Sequence, residues 1–232
     1  MEPITPAAID PPANVLLVHP SSDEPAACKQ LCHDGGGTAR LTVTFADETP
    51  ERPDPDTIDG RCGLLTIGDV LSDTGEDTEP DFAEPVVADS VADPTDLSEI
   101  GVTISRFCKH WAESDEDVTV CFDSLDALLR HTSPKDVFQF THVLTNRLSS
   151  VEAYAHFHFD PTRHEDRVVS TFGTIFDDVV ADDTDDSLPE ATDDEVAALL
   201  AEWDDEPAFD LDPDAASNSE ATDEDIAQVL GK

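Results

Sequence analysis

The chain has 232 residues, 54 of them Asp or Glu against 12 Lys or Arg, for a formal net charge of -42. Such self-repulsion opposes a compact state in dilute buffer, but at about 1 M salt the Debye length shrinks to about 3 Å, so the composition points to a halophile's salt-rich cytoplasm. With no basic patch to meet a polyanion, direct nucleic-acid binding is excluded. Residues 1–12 hold four prolines and no periodicity, and read as a disordered lead-in. Val15–Val18 is a short apolar run of buried-strand type, followed by a loop at 19–23 and a helical pattern from Glu24 to about Cys32. Leu41, Val43 and Phe45 alternate on a second strand over 39–45, and 63–67 makes a third. Ser72–Asp93, rich in Asp, Glu, Pro and Thr, reads as an exposed loop.

Leu97, Ile100, Ile104, Phe107, Cys108 and Trp111 recur at helical spacing behind Asp96, an available cap, which predicts a helix over about 95–113. The strongest strand, Val118–Phe122, ends in Asp123-Ser124. A helix starting at Leu125 is interrupted near Pro134 and resumes to about Ser149. Tyr154–Phe159 is a strand, Arg163–Phe176 a helix and Val179-Val180 a last edge strand. Strands alternating with helices of this length predict an α/β domain with a mostly parallel sheet over 13–181.

Between Arg167 and Lys232 there is no Lys or Arg. In this acidic tail, 182–232, Ala191-Thr192-Asp193 and Ala221-Thr222-Asp223 each cap a short apolar stripe with acid in the first turn, where the helix dipole favours it. Val196, Leu199, Leu200 and Trp203 form one stripe, and Ile226, Val229 and Leu230 the other. Helices this short are marginal alone, so both are expected to dock on a protein partner or on the core. No run approaches the ~20 apolar residues of a membrane span, and Met1–Pro6 carries no basic region leading into an apolar stretch, so a cytoplasmic protein is expected. Five cysteines, Cys28, Cys32, Cys62, Cys108 and Cys121, form neither an even framework nor a CxxC pair, and read as reduced, mostly buried thiols.

Asn14–Ser22 with its helix, Gly63–Asp69, the Asp96–Trp111 helix, Val120–Leu125 and His156–Asp160 together resemble a haloarchaeal family of unknown function that is similar to the RecA/KaiC-type ATPases. The resemblance covers about 13–181 and implies a three-layer, RecA-like α/β fold. It places Asp123 at the Walker B carboxylate that orients magnesium, with Ser124 next. Homo-oligomerisation enters through the same analogy of fold, RecA-like domains often making rings.

The phosphate loop departs from that pattern. A working loop needs GxxxxGK[ST], whose backbone N–H groups and lysine hold phosphate. The turn here, His19-Pro20-Ser21-Ser22-Asp23-Glu24-Pro25, has no glycine, two prolines and two carboxylates, and Lys29 comes a turn too late. Gly35-Gly36-Gly37 lacks a strand before it and a helix after it. His156, His158 and Asp160 share a strand face, and with His164 resemble the HxHxDH signature of metallo-β-lactamase-type hydrolases. Pro161 stands where the next His belongs, however, leaving His142, His156, His158 and Asp160 as candidates for a fortuitous metal site. Cys28 and Cys32 lie on one helical face, as core packing alone would also require. Ser124 is not in GxSxG. The expectation is therefore a non-catalytic regulatory or protein-interaction module with no cofactor. The alternative is a divergent nucleotide- or metal-dependent enzyme using Asp123 and Ser124.

Overall fold

Val15–Val18 and Val118–Phe122 present apolar groups to both sides, and strands of that kind settle between two covering layers. The structure, a computed structural model, describes residues 5–20, 25–34, 39–46, 60–68, 80–181 and 191–203. In chain order the elements are β1 (Asn14–Val18), α1 (Ala26–Asp34), β2 (Ala39–Phe45), β3 (Arg61–Ile67), β4 (Val86–Val91), α2 (Leu97–Ala112), β5 (Val118–Phe122), α3 (Leu125–Leu129), α4 (Pro134–Ser150), β6 (Tyr154–Phe159), α5 (Asp166–Gly173), β7 (Asp178–Ala181) and α6 (Asp193–Glu202). The seven strands make one sheet in the order β4-β3-β2-β5-β6-β1-β7, and every pairing is parallel.

Side-chain alternation divides the core in two. Leu16, Leu41, Val43, Leu65, Val120, Phe122 and Phe157 meet α2 to α5 on one face in a large cluster that includes Phe107, Trp111, Phe140 and Phe172. On the other face Val15, Leu17, Cys121, Tyr154 and Val180 meet α1 through Ala27, Cys28 and Leu31 in a much smaller one. Among the described residues α1 is the single α-helix on this second face. On the first, α2 lies so close to the sheet that a Cβ on Gly63 would sit 2.6 Å from Trp111 and 2.9 Å from Phe107. Glycine at that position is what lets the two aromatic rings down onto β3.

The helix boundaries follow their caps. Asp96 accepts from the Glu99 N–H at 2.8 Å, Ser133 from Asp136, and Thr192 with Glu195 completes a capping box on α6.

Three expectations are corrected. The stretch read as a loop to Asp93 contains β4, whose core-side Asp89 is paired with Arg106 of α2; a charge between Val87 and Val91 interrupts the apolar alternation, and edge strands tolerate it. The long helix read over Arg163–Phe176 is a 3-10 turn, Pro161–Arg163, followed by the shorter α5. Within the lead-in, Pro6–Ala8 form another 3-10 turn, and Ile9 is buried in the second-face cluster.

Candidate functional site

In open α/β sheets ligands bind beyond the carboxyl ends of strands where successive connections leave for opposite faces. Here that place lies beyond β1 and β6. The connection after β1 carries α1 on the second face, whereas those after β5 and β6 carry α3, α4 and α5 on the first. The turn after β1 begins His19-Pro20, and residues 21–24, the rest of the degenerate phosphate loop, lie outside the described residues.

Asp123 follows β5 directly and is half-buried, its N–H donating to the Val43 carbonyl at 2.9 Å. Ser124 is the N-cap of α3, its Oγ accepting from the Ala127 N–H at 3.1 Å. Asp126, buried in the first turn of α3, accepts the Asp160 N–H at 2.8 Å and meets His164 Nε2 at 2.5 Å. Asp160 in turn accepts from the Thr162 N–H and hydroxyl at 2.9 and 2.7 Å, and pairs with Arg163 at 3.2 Å. These carboxylates fasten the turn after β6 to α3.

The weak metal candidates are thereby separated. His142 lies on α4, over the first face, where burial lowers its pKa, and Asp160 is committed to its turn. His156 and His158 alternate onto the second face and meet a different set of groups. His156 is fully buried, and its Nε2 lies 3.4 Å from Cys28 Sγ and 3.7 Å from Cys32 Sγ. Cys121 stands beside His156 in register on the neighbouring strand. The ligand atoms of Cys28, Cys32, Cys121 and His156 all lie within 4.8 Å of one another.

His158, two residues along β6, reaches Cys121 Sγ at 3.6 Å with Nε2, and its Nδ1 lies 2.8 Å from His19 Nε2. His19 Nδ1 is 2.9 Å from the Pro20 carbonyl, which can only accept, so that nitrogen donates. With both rings neutral, His158 Nδ1–H then donates to His19 and its Nε2 lone pair faces the Cys121 thiol.

The electrostatics of this cluster are uneven. Cys32 is pulled far below the ordinary thiol range by hydrogen bonds from Cys121 and Cys28, with His156 adding to them against the cost of burial. Cys121 is pushed well above it by the same neighbours, Cys28 and Cys32, together with burial. The thiols thus accommodate one negative charge readily and resist another. His158 is lowered to about 3, chiefly by burial and then by His156 and His19. By contrast, Cys108 is packed in the first-face core, where burial lifts it to about 12, and Cys62 is half-buried and raised for the same reason.

In the tail stripe, Leu199 is buried and Val196, Leu200 and Trp203 pack against the first-face cluster. Trp203 lies 6.3 Å from Phe172 between ring centres, and Glu202 accepts two hydrogen bonds from Arg167. Ile226, Val229 and Leu230 lie outside the described residues. Of the second-face group, the sequence exposes the Cys28/Cys32 face and the His156/His158 alternation but not their meeting. Cys121 in an apolar strand carries no mark of its partners until β5 and β6 are placed side by side.

A model of a family of unknown function, DUF7504, matches residues 12–182. No curated protein and no solved structure matches the chain.

Proposed function

For this chain, which belongs to the DUF7504 family, we propose a non-catalytic regulatory or protein-interaction module of a halophilic archaeon's cytoplasm, built on a RecA/KaiC-like fold whose phosphate loop has been lost. The observation that carries the reading is the state of the groups beyond the carboxyl ends of β1, β5 and β6. Ser124 caps α3, Asp126 and Asp160 hold the turn after β6, and His19 is engaged with Pro20 and His158. These side chains serve the fold, and the turn after β1 offers prolines and acid where phosphate needs N–H donors and a lysine.

The deciding experiment is equilibrium binding of ATP-magnesium to the full chain in molar potassium chloride. The expected result is no micromolar affinity and no difference between the parent chain and Asp123→Ala. Micromolar binding abolished by Asp123→Ala would overturn the reading in favour of a divergent nucleotide enzyme.

A further inference from the structure

The second-face cluster brings together four side chains that simple packing does not need to converge. Cys28 and Cys32 stand one turn apart on α1, so their side chains share a face, and that face lies over the β5–β6 strand pair at the point where Cys121 and His156 are neighbours. The three thiols and His156 Nε2 all fall within 4.8 Å of one another. Around a tetrahedral zinc ion, with bonds of about 2.3 Å to sulfur and about 2.0 Å to nitrogen, N···S edges are about 3.5 Å and S···S edges about 3.8 Å. The N···S distances here are 3.4 Å to Cys28 and 3.7 Å to Cys32, so closing on an ion asks for sub-ångström shifts.

We propose that Cys28, Cys32, Cys121 and His156 hold one zinc ion that fastens α1 to β5 and β6.

The donor set selects the metal: three soft thiol sulfurs and an imidazole gathered within 4.8 Å suit zinc, while oxygen-seeking magnesium and calcium find no carboxylate among the four. Four protein ligands close the coordination shell, so the ion is structural. Cys28, Cys121 and His156 are buried at 7%, 6% and 0% exposure, whereas Cys32 is half-buried and gives the ion its route in. Only Nε2 of His156 reaches the thiols, so Nε2 is the ligating nitrogen and the ring proton stays on Nδ1, which is buried. None of the four ligands is among the strand-end groups above, although His158 touches Cys121, so zinc content and nucleotide binding are separate readouts.

The test uses the full chain, purified under reductant in molar potassium chloride and loaded with zinc or cobalt alone. Metal analysis should find one zinc per chain, and cobalt should give the intense visible bands of tetrahedral coordination with thiolate-to-cobalt charge transfer. Cys28→Ser and Cys121→Ser should lose stoichiometric zinc, and Cys62→Ser and Cys108→Ser should keep it. Because Cys121 lies inside the sheet, a second measurement uses the unaltered chain. Zinc should markedly slow labelling of Cys32 by a thiol reagent, because the metal occupies its thiolate lone pair, and leave Cys62 labelling unchanged. His156→Cys should retain cobalt with a stronger charge-transfer band. Octahedral cobalt spectra, stoichiometric iron or copper in place of zinc, a disulfide among these thiols in the reduced preparation, or Cys32 labelling indifferent to zinc would each overturn the proposal.

Discussion

The two faces of the sheet solve the same problem with unequal means. On the first, α2 to α5 bury a continuous layer of large side chains, among them Trp111, Phe107, Phe140, Phe157 and Phe172. On the second, α1 brings little more than Ala27, Cys28 and Leu31, and polar groups, the Cys/His cluster and the His19–His158 pair, occupy space that apolar side chains fill opposite. The difference teaches where each kind of constraint is used. Where area is plentiful, burial at about 25 cal/mol per Å² suffices. Where, among the described residues, one nine-residue helix must hold, directional contacts take over.

The sharpest way to break the comparison is to truncate matched side chains. Leu128→Ala, on the first face, should destabilise by about 4 kcal/mol, whereas Leu31→Ala, equally buried, should cost about 2 kcal/mol, because a thin layer collapses more easily around its cavity. Chemical unfolding in molar potassium chloride measures both, and equal losses would contradict the division.

Next comes acid. His158 titrates near 3 when folded against 6.5 ordinarily, so between those values the unfolded chain binds a proton that the folded chain refuses. Stability is then whole above about pH 6.5 and falls as pH drops, by at most about 1.4 kcal/mol per unit from this group. Measured with a chelator present, the loss should appear first in hydrogen exchange of α1, and His158→Phe should flatten the slope.

A smaller effect is expected from Gly63→Ala. Its methyl would press on Trp111 and Phe107, for about 1–3 kcal/mol, all of it on the first face. Smallest is Glu202→Gln: the pair with Arg167 is exposed on both sides, so in molar salt the unfolding midpoint should not move.

Much of this architecture was legible because its signals are local. The Leu97–Trp111 stripe behind Asp96 predicts α2 almost to the residue, and the apolar runs at 15–18 and 118–122 predict two of the central strands. Where the reading failed, a non-local partner decided the outcome. Asp89 fits a strand because Arg106, seventeen residues on, lies over it, and Ile9 is held by a helix that the prolines around it do not announce. The candidate site was illegible for the same reason. Alternation along one strand groups His156 with Asp160, whereas its neighbours come from β5 and α1, and strand order cannot be read from spacing.

One feature of the sheet bears on how the molecule is made. β1 lies between β6 and β7, so Asn14 stands opposite Ala155, 141 positions later in the chain. During synthesis at roughly 5–20 residues per second, Val15–Val18 leaves the ribosome roughly 7–30 s before either neighbour exists. Through that interval an apolar strand has both edges open, and the central sheet cannot close until the domain is almost complete.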